Sequence, residues 1–268
     1  MIKLLKIEWL KLKNYTAFKV VAILFFLSVF GINYIGYSIN SNITGPAQML
    51  LGNYFGFPNV WHTVSWLSTF TLFLPGLLMI LLVTNEFTYK THRQNIIDGW
   101  SRSQFINVKI VMVLIFSLVA ALWVLLVTLL IGFITGDPFS FQKIEYIGYF
   151  FLQSTSVLML ALLISVLVKR AALAIALFIA YVYILENVLG GLMNYLSIRA
   201  NASKIGYTPI GDVLPVNSAD ALLPFPFFRS MINTAIPSLN MYLLLGLVFT
   251  YLFFYIWFSR RRFLRSDL

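Results

Sequence analysis

The sequence predicts an all-α integral membrane protein: six transmembrane helices, an N-terminal amphipathic interfacial helix and one further short helix on the cytoplasmic side. Three observations carry this. Of the 268 residues, 60% are hydrophobic and only 10% are charged, against about 25% charged in a soluble domain. The apolar residues fall into six runs that meet or approach the roughly 20 residues a helix needs to cross a bilayer core of about 30 Å. The basic residues behind the net charge of +10 sit at the edges of those runs, where topology and anionic headgroups account for them without a nucleic-acid partner. Cysteine is absent, which excludes disulfides, thiolate metal sites and cysteine nucleophiles.

Residues 1–16 form the predicted interfacial helix. Lysines stand at Lys3, Lys6, Lys11 and Lys13, while Ile2, Leu5, Trp9 and Leu12 share one face at 100° per residue and Leu4, Ile7 and Leu10 fall off it. Such a helix lies in the headgroup layer with its lysine stems snorkelling; a plain basic flank of the first span is the alternative. The apolar run from Ala17 is long and no small-residue cleavage site follows it, so the first span is expected to remain in the mature protein.

The spans are predicted near 17–39, 62–84, 108–134, 146–168, 171–190 and 239–258, within one membrane domain covering 1–268. The third is long enough to tilt or project from the bilayer. Little more than Lys169 and Arg170 separates the fourth from the fifth, which demands a tight hairpin. The segments before the first span, between the second and third, between the fourth and fifth, and after the sixth hold 15 Lys or Arg, and the opposite loops hold 4. By the positive-inside rule both termini and the 85–107 loop are cytoplasmic. The outer connection, 191–238, contains Pro209, Pro215, Pro224, Pro226 and Pro237 and apolar pieces such as 221–228, and is expected to form short interfacial or re-entrant elements.

Polar residues inside the spans are few. The second span opens with hydroxyls that include Ser65 and Thr69, then meets Pro75-Gly76. Proline removes a backbone hydrogen bond and predicts a kink, and the hydroxyls either pack helices closely or line a path. Gln153-Ser154-Thr155-Ser156 in the fourth span must face protein or a wet cavity. Glu186 is the one acid well inside a predicted span, with structural pairing, interfacial exposure and substrate or proton handling all open to it. Ser65, Thr69, Pro75, Gln153, Thr155 and Glu186 are the candidate path residues. No catalytic or metal-binding constellation is present: His62 and His92 fall on opposite sides of the membrane, and neither HExxH nor a glycine-rich phosphate loop occurs.

The densest polar stretch is Asn85 to Lys109. Phe87, Tyr89, Ile96, Ile97, Trp100, Phe105 and Ile106 alternate there with Arg93, Gln94, Asn95, Asp98 and Arg102. Ile96, Ile97 and Trp100 lie at spacings that make one ridge on a short helix, shaped either to dock a partner or to pack on its own bundle. Gly99 can end that helix and Ser101 can cap the next.

At these residues the sequence resembles the membrane-spanning permease subunits of bacterial type-2 ATP-binding-cassette (ABC) exporters. The family pattern is an acid near the end of the second span, a Gly-Thr pair, a helix, a Ser-Arg step and a lysine entering the third span. Glu86, Thr91, Gln94, Asn95, Ser101, Arg102 and Lys109 match it, as does the terminal RRRFLRSDL. Lys90 stands where the family commonly has glycine, and a non-glycine there makes a positive backbone φ less expected. The resemblance implies a non-catalytic permease subunit of the cytoplasmic (inner) membrane, paired with a second permease copy or homologue, surrounded by lipid and seated on separate ABC ATPase subunits. ATP and magnesium are then bound by the ATPase and no cofactor by this chain. Motion reaches the spans through the 91–100 coupling helix, with Ile97 and Trp100 docking the partner. The rival readings are a secondary transporter or channel working without an ATPase, and a non-transporting membrane partner of an ATPase.

Overall fold

A computed structural model describes residues 2–42, 53–97, 99–200, 209–227 and 239–265. Among them no strand occurs, and five helices are long and apolar enough to cross a membrane, with a sixth if two helices bent by 45° count as one span. In chain order the helices are α1 (Ile2–Asn14), α2 (Thr16–Asn42), α3 (Val60–Thr69), α4 (Phe73–Thr88), α5 (Thr91–Ile97), α6 (Arg102–Ile134), α7 (Glu145–Val168), α8 (Ala171–Ile179) and α9 (Glu186–Ala200). A π-helical turn, Ala180–Leu185, joins α8 to α9; a 3-10 turn (Ile210–Val213), α10 (Pro215–Asp220) and α11 (Met241–Leu264) follow.

Several expected boundaries move. The third span begins six residues early, at Arg102, so helical structure takes up the end of the 85–107 loop. The fifth runs to Ala200 through the π-turn, and the last carries its arginines to Leu264 as helix. The predicted kink is a full break. Pro75, in the first turn of α4, has no N–H to offer the Thr71 carbonyl, and the chain crosses 70–72 in turns. Hydroxyls serve the carbonyls at the end of α3: Thr69 Oγ1 donates to Trp66 O and Thr71 Oγ1 to Ser68 O, both at 2.8 Å. Gly76 follows because a Cβ there would collide with the Phe178 ring of α8.

The α7 helix runs through the middle of the bundle, packed by α6, α11, α4, α3 and α8. It is buried on all sides over 153–162, which meets the requirement of the polar run 153–156. Lys169 caps it in the left-handed region, φ 59°, which makes the turn into α8 as tight as the sequence demands.

The four basic segments converge on one end of the bundle. Phe263 of α11 stacks on Phe105 of α6 at 4.7 Å and lies 6.3 Å from Phe87 of α4. Arg102 donates to Leu264 O at 3.1 Å, and Lys169 Nζ sits 5.3 Å over the Phe87 ring. At the other end the connections lock together. Trp61 Nε1 donates to Ser140 O at 2.8 Å and Lys143 Nζ to Asn59 Oδ1 at 2.7 Å. The described residues of the 191–238 connection include a folded cap, with Leu222 and Leu223 buried; Phe228 lies outside the described residues. Gly211 of the cap rests on the backbone of Gly190, where a Cβ would strike the Gly190 carbonyl, and Tyr251 Oη donates to Val213 O at 2.8 Å. Gly211→Ala must push backbone from backbone, so it is expected to destabilise the protein by about 1–3 kcal/mol, read as a lowered thermal midpoint in detergent, whereas Gly191→Ala, which meets open space, should not.

Candidate functional site

Two lysines and two carboxylates form a charge cluster at the basic end. Lys109 Nζ lies 2.5 Å from Glu8 Oε2 and 2.8 Å from Glu86 Oε1, while Lys11 Nζ lies 2.9 Å from Glu8 Oε1 and 3.2 Å from Glu86 Oε1. Each cation therefore bridges both anions, and the charges sum to zero. Lys109 is the deepest, its side chain 1% exposed, and Lys11 the shallowest at 36%. The cluster joins α1, the end of α4 and the start of α6, three elements brought together only by the fold. Asn85 Nδ2 adds a fourth tie, donating to Tyr15 Oη at 2.7 Å where α1 meets α2.

The local chain explains this placement. On α1, Glu8, Lys11 and Leu12 share a face by their three- and four-residue spacing, and Glu8 and Leu12 are buried. Here the predicted face is corrected. Trp9, placed with Leu12 by periodicity, is exposed together with Ile7 and Leu10, because an interfacial helix presents apolar residues to lipid on one side and to protein on the other. Lys109 is carried on the first two turns of α6, whose start is set by a capping box: Ser101 Oγ accepts from Gln104 N and Gln104 Oε1 from Ser101 N. Burial pushes the Glu8 carboxyl up, but the Lys109 and Lys11 ammoniums outweigh it and hold the group below the usual carboxylate range. A cavity of about 190 Å³ opens beside the cluster, bordered by Tyr15, Asn85, Tyr89 and Thr91.

Glu86 and Lys109 are candidates from sequence. Glu8 and Lys11 are not, although Glu8 is the only acid in the first 85 residues and stands out in a lysine-rich helix for that reason. The remaining loop candidates separate. Gln94, Thr91 and Ile97 lie on the outer side of α5, with Ile97 77% exposed, while Asn95 is buried and Trp100 only 9% exposed. The ridge of Ile96, Ile97 and Trp100 does not form. The helix stops at Ile97, Gly99 turns the chain at φ 99°, and Trp100 N donates back to Asn95 O at 3.0 Å. Trp100 is thereby turned inward, with Lys11 Nζ 5.8 Å over its ring. Lys90 adopts φ 55°, so the left-handed turn that the lysine makes less expected is present after all, with Lys90 N donating to Phe87 O at 3.3 Å.

The path candidates lie away from this cluster, in the chain's own packing. Ser65 is fully buried and Thr155 Oγ1 donates to Phe151 O; Thr69 is half-buried. Ser68 accepts at 3.0 Å from Asn33 Nδ2 of α2, a buried amide that periodicity does not single out. Pro75 borders a small apolar cavity of about 90 Å³ with Phe25, Leu78 and Phe116. Gln153 Nε2 donates at 2.6 Å to Asp220 Oδ1 in the cap. Burial, reinforced by Glu186 and Asp212 and eased by Gln153, raises the Asp220 carboxyl to about 6. Glu186 Oε1 accepts from the backbone N–H groups of Val216 and Asn217, so its structural-pairing reading is the one the geometry displays. His62 stacks on Tyr146 at 4.0 Å. Its Nε2 lies 2.7 Å from Pro224 O, and because a carbonyl only accepts, that nitrogen carries the proton.

The sequence model of the ABC-2 family transporter protein matches residues 4–187, a span that contains all four charged residues of the cluster. No curated protein matches the chain. Lys109→Met would leave two buried carboxylates facing one half-exposed lysine and is expected to cost about 3–5 kcal/mol, measured as loss of thermal stability in detergent. The depressed Glu8 contributes stability that is complete above its unfolded value, near 4.5, and is lost as pH falls through the folded value. Glu8→Gln is therefore expected to flatten the drop in melting temperature below about pH 4.5; a drop as steep as in the parent protein would contradict the pairing.

Proposed function

The chain belongs to the ABC-2 transporter family and is a membrane subunit of an ABC transporter, and from that premise we propose that it is the permease half of an ATP-driven exporter, moved by a separate ATPase. The observation that supports this reading best is the way α5 is held. Its outer side, with Thr91, Gln94 and Ile97, projects at the basic end, while the helices on either side of it, α4 through Glu86 and α6 through Lys109, are bolted together by the charge cluster. A push on α5 then moves α4, α6 and α1 as one body rather than bending a loop.

On this reading the basic end is cytoplasmic, in an inner membrane, with both termini on that side. ATP and magnesium belong to the ATPase, and hydrolysis takes place there. The ATPase contact runs over Thr91, Gln94 and Ile97 and the exposed Tyr89 between α4 and α5, with Asn95, Trp100, Ser101 and Arg102 as the frame that holds this face out. A second permease copy or homologue completes the pathway, and Thr69, half-buried at the helix break, is the proposed path residue best placed to face it. Ser65, Gln153, Thr155 and Glu186 serve that path only if α3 and α7 or the cap separate during transport.

Ile97→Asp adds a charge at an exposed position, so folding should be unaffected. The expected result is a loss of at least tenfold in ATPase co-purifying with the full-length chain, with an unchanged melting temperature. Unaltered co-purification would refute docking through α5.

A further inference from the structure

The C-terminal turns of α11 carry four arginines whose side of the membrane topology accounts for, but whose arrangement on the helix it does not. Because the helix continues to Leu264, Arg260, Arg261 and Arg262 are fixed on a helical surface, and Arg265 is held at its C-cap, its backbone N–H donating to Arg261 O, instead of trailing from it. Arg261 and Arg265, four residues apart, share one ridge. Two grooves meet along that ridge and both are lined by this pair. The first, about 390 Å³, has Phe253 and Trp257 at its membrane side and Arg260 at its rim. The second, about 470 Å³, is floored by Leu163 and Leu167 of α7 with Phe258, and rimmed by Arg262. Arg261 lies 4.9 Å over the Trp257 ring, a contact that holds a guanidinium in place without neutralising it. Ion pairs among the described residues involve Lys11, Lys109, Glu8 and Glu86 and none of these four arginines.

We propose that this end of α11 binds an anionic phospholipid, its phosphate held between Arg261 and Arg265 and its acyl chains laid in the flanking grooves. The chemistry selects the ligand. Guanidinium groups bind phosphate oxygens in a bidentate fork, and the grooves beneath them are lined by leucine and aromatic side chains that call for hydrocarbon. A free phosphate would satisfy the rim and leave those floors uncovered. An acidic protein surface would have to insert apolar groups at membrane depth. Two guanidiniums at the phosphate, with Arg260 and Arg262 on the two flanks of the ridge, favour an anionic headgroup over a zwitterionic one, since each basic side chain near the surface strengthens attraction to anionic lipid. The site requires only that the chain span a membrane and is independent of coupling through α5.

The test is native mass spectrometry of the full-length chain, in whatever complex it purifies, after exchange into micelles containing phosphatidylglycerol or phosphatidylcholine. The parent protein is expected to retain phosphatidylglycerol preferentially. Arg261→Gln with Arg265→Gln should lower the retained fraction at least fivefold. Arg261→Lys with Arg265→Lys should keep some of it, and Arg199→Gln, at the far end of the bundle, should keep all of it. If the double glutamine variant fails to fold, Arg262→Gln, at an exposed position, provides the same comparison with a smaller loss. Equal retention by the folded glutamine variants would overturn the proposal. So would displacement of the lipid by millimolar inorganic phosphate, or loss of an associated ATPase with lipid retention unchanged, which would make the ridge a protein contact.

Discussion

The packing at the basic end depends on one constraint: Lys109 carries its charge into a site where its side chain is only 1% exposed. A buried ammonium loses its hydration, and only anions held at contact distance make up for it. Glu8 and Glu86 meet that need, but two carboxylates side by side repel each other, and Lys11 closes the square so that every nearest neighbour has the opposite sign. The three helices that contribute these groups can therefore not drift apart independently. Any separation exposes an unmatched charge in a poorly solvated place. The cluster is thus a register pin for α1, α4 and α6, positioned where a short exposed helix, α5, bridges two of them.

The far end is held by different means. Its ties are mostly hydrogen bonds between side chain and backbone, donated to carbonyls by Trp61, His62 and Tyr251 and accepted from backbone N–H groups by Glu186, with close backbone contact at Gly190 and Gly211. Such ties are directional and individually modest. Between the two ends lies a mostly apolar middle held chiefly by packing, with buried polar ties such as Asn33 to Ser68 and Trp123 to the Phe26 carbonyl, and broken once at residues 70–72.

Much of this fold is legible in the residues. The spans follow from apolar length, which needs no knowledge of partners, and the inward face of α7 follows from the cost of turning Gln153 toward lipid. What escapes has specific physical causes. Glu8 sits among lysines, where a short-range view supplies it with local partners and gives no sign of Lys109 a hundred residues away. The buried face of α1 is misassigned by periodicity because lipid and protein both accept apolar side chains. Spacing puts Trp100 on the outer ridge only for an unbroken helix, and Gly99 breaks it. The Glu186 bonds come from backbone groups thirty residues downstream. Lys90 shows that a turn imposed by its surroundings can hold a left-handed lysine, so the departure from glycine changes the energy of the turn more than its shape.

The length of α6 has a mechanical consequence. From Lys109 to Ile134 the helix runs roughly 38 Å without interruption, so the charge cluster stands at one end of a stiff rod whose other end abuts the loops near Trp61 and Ser140. A pivot of about 5° at the cluster would sweep Ile134 sideways by roughly 3 Å at the 1.5 Å rise per residue of an α-helix. That is about the diameter of a water molecule. A displacement imperceptible at the charged fulcrum would therefore be enough, at the opposite surface, to pull a pair of packed side chains out of contact.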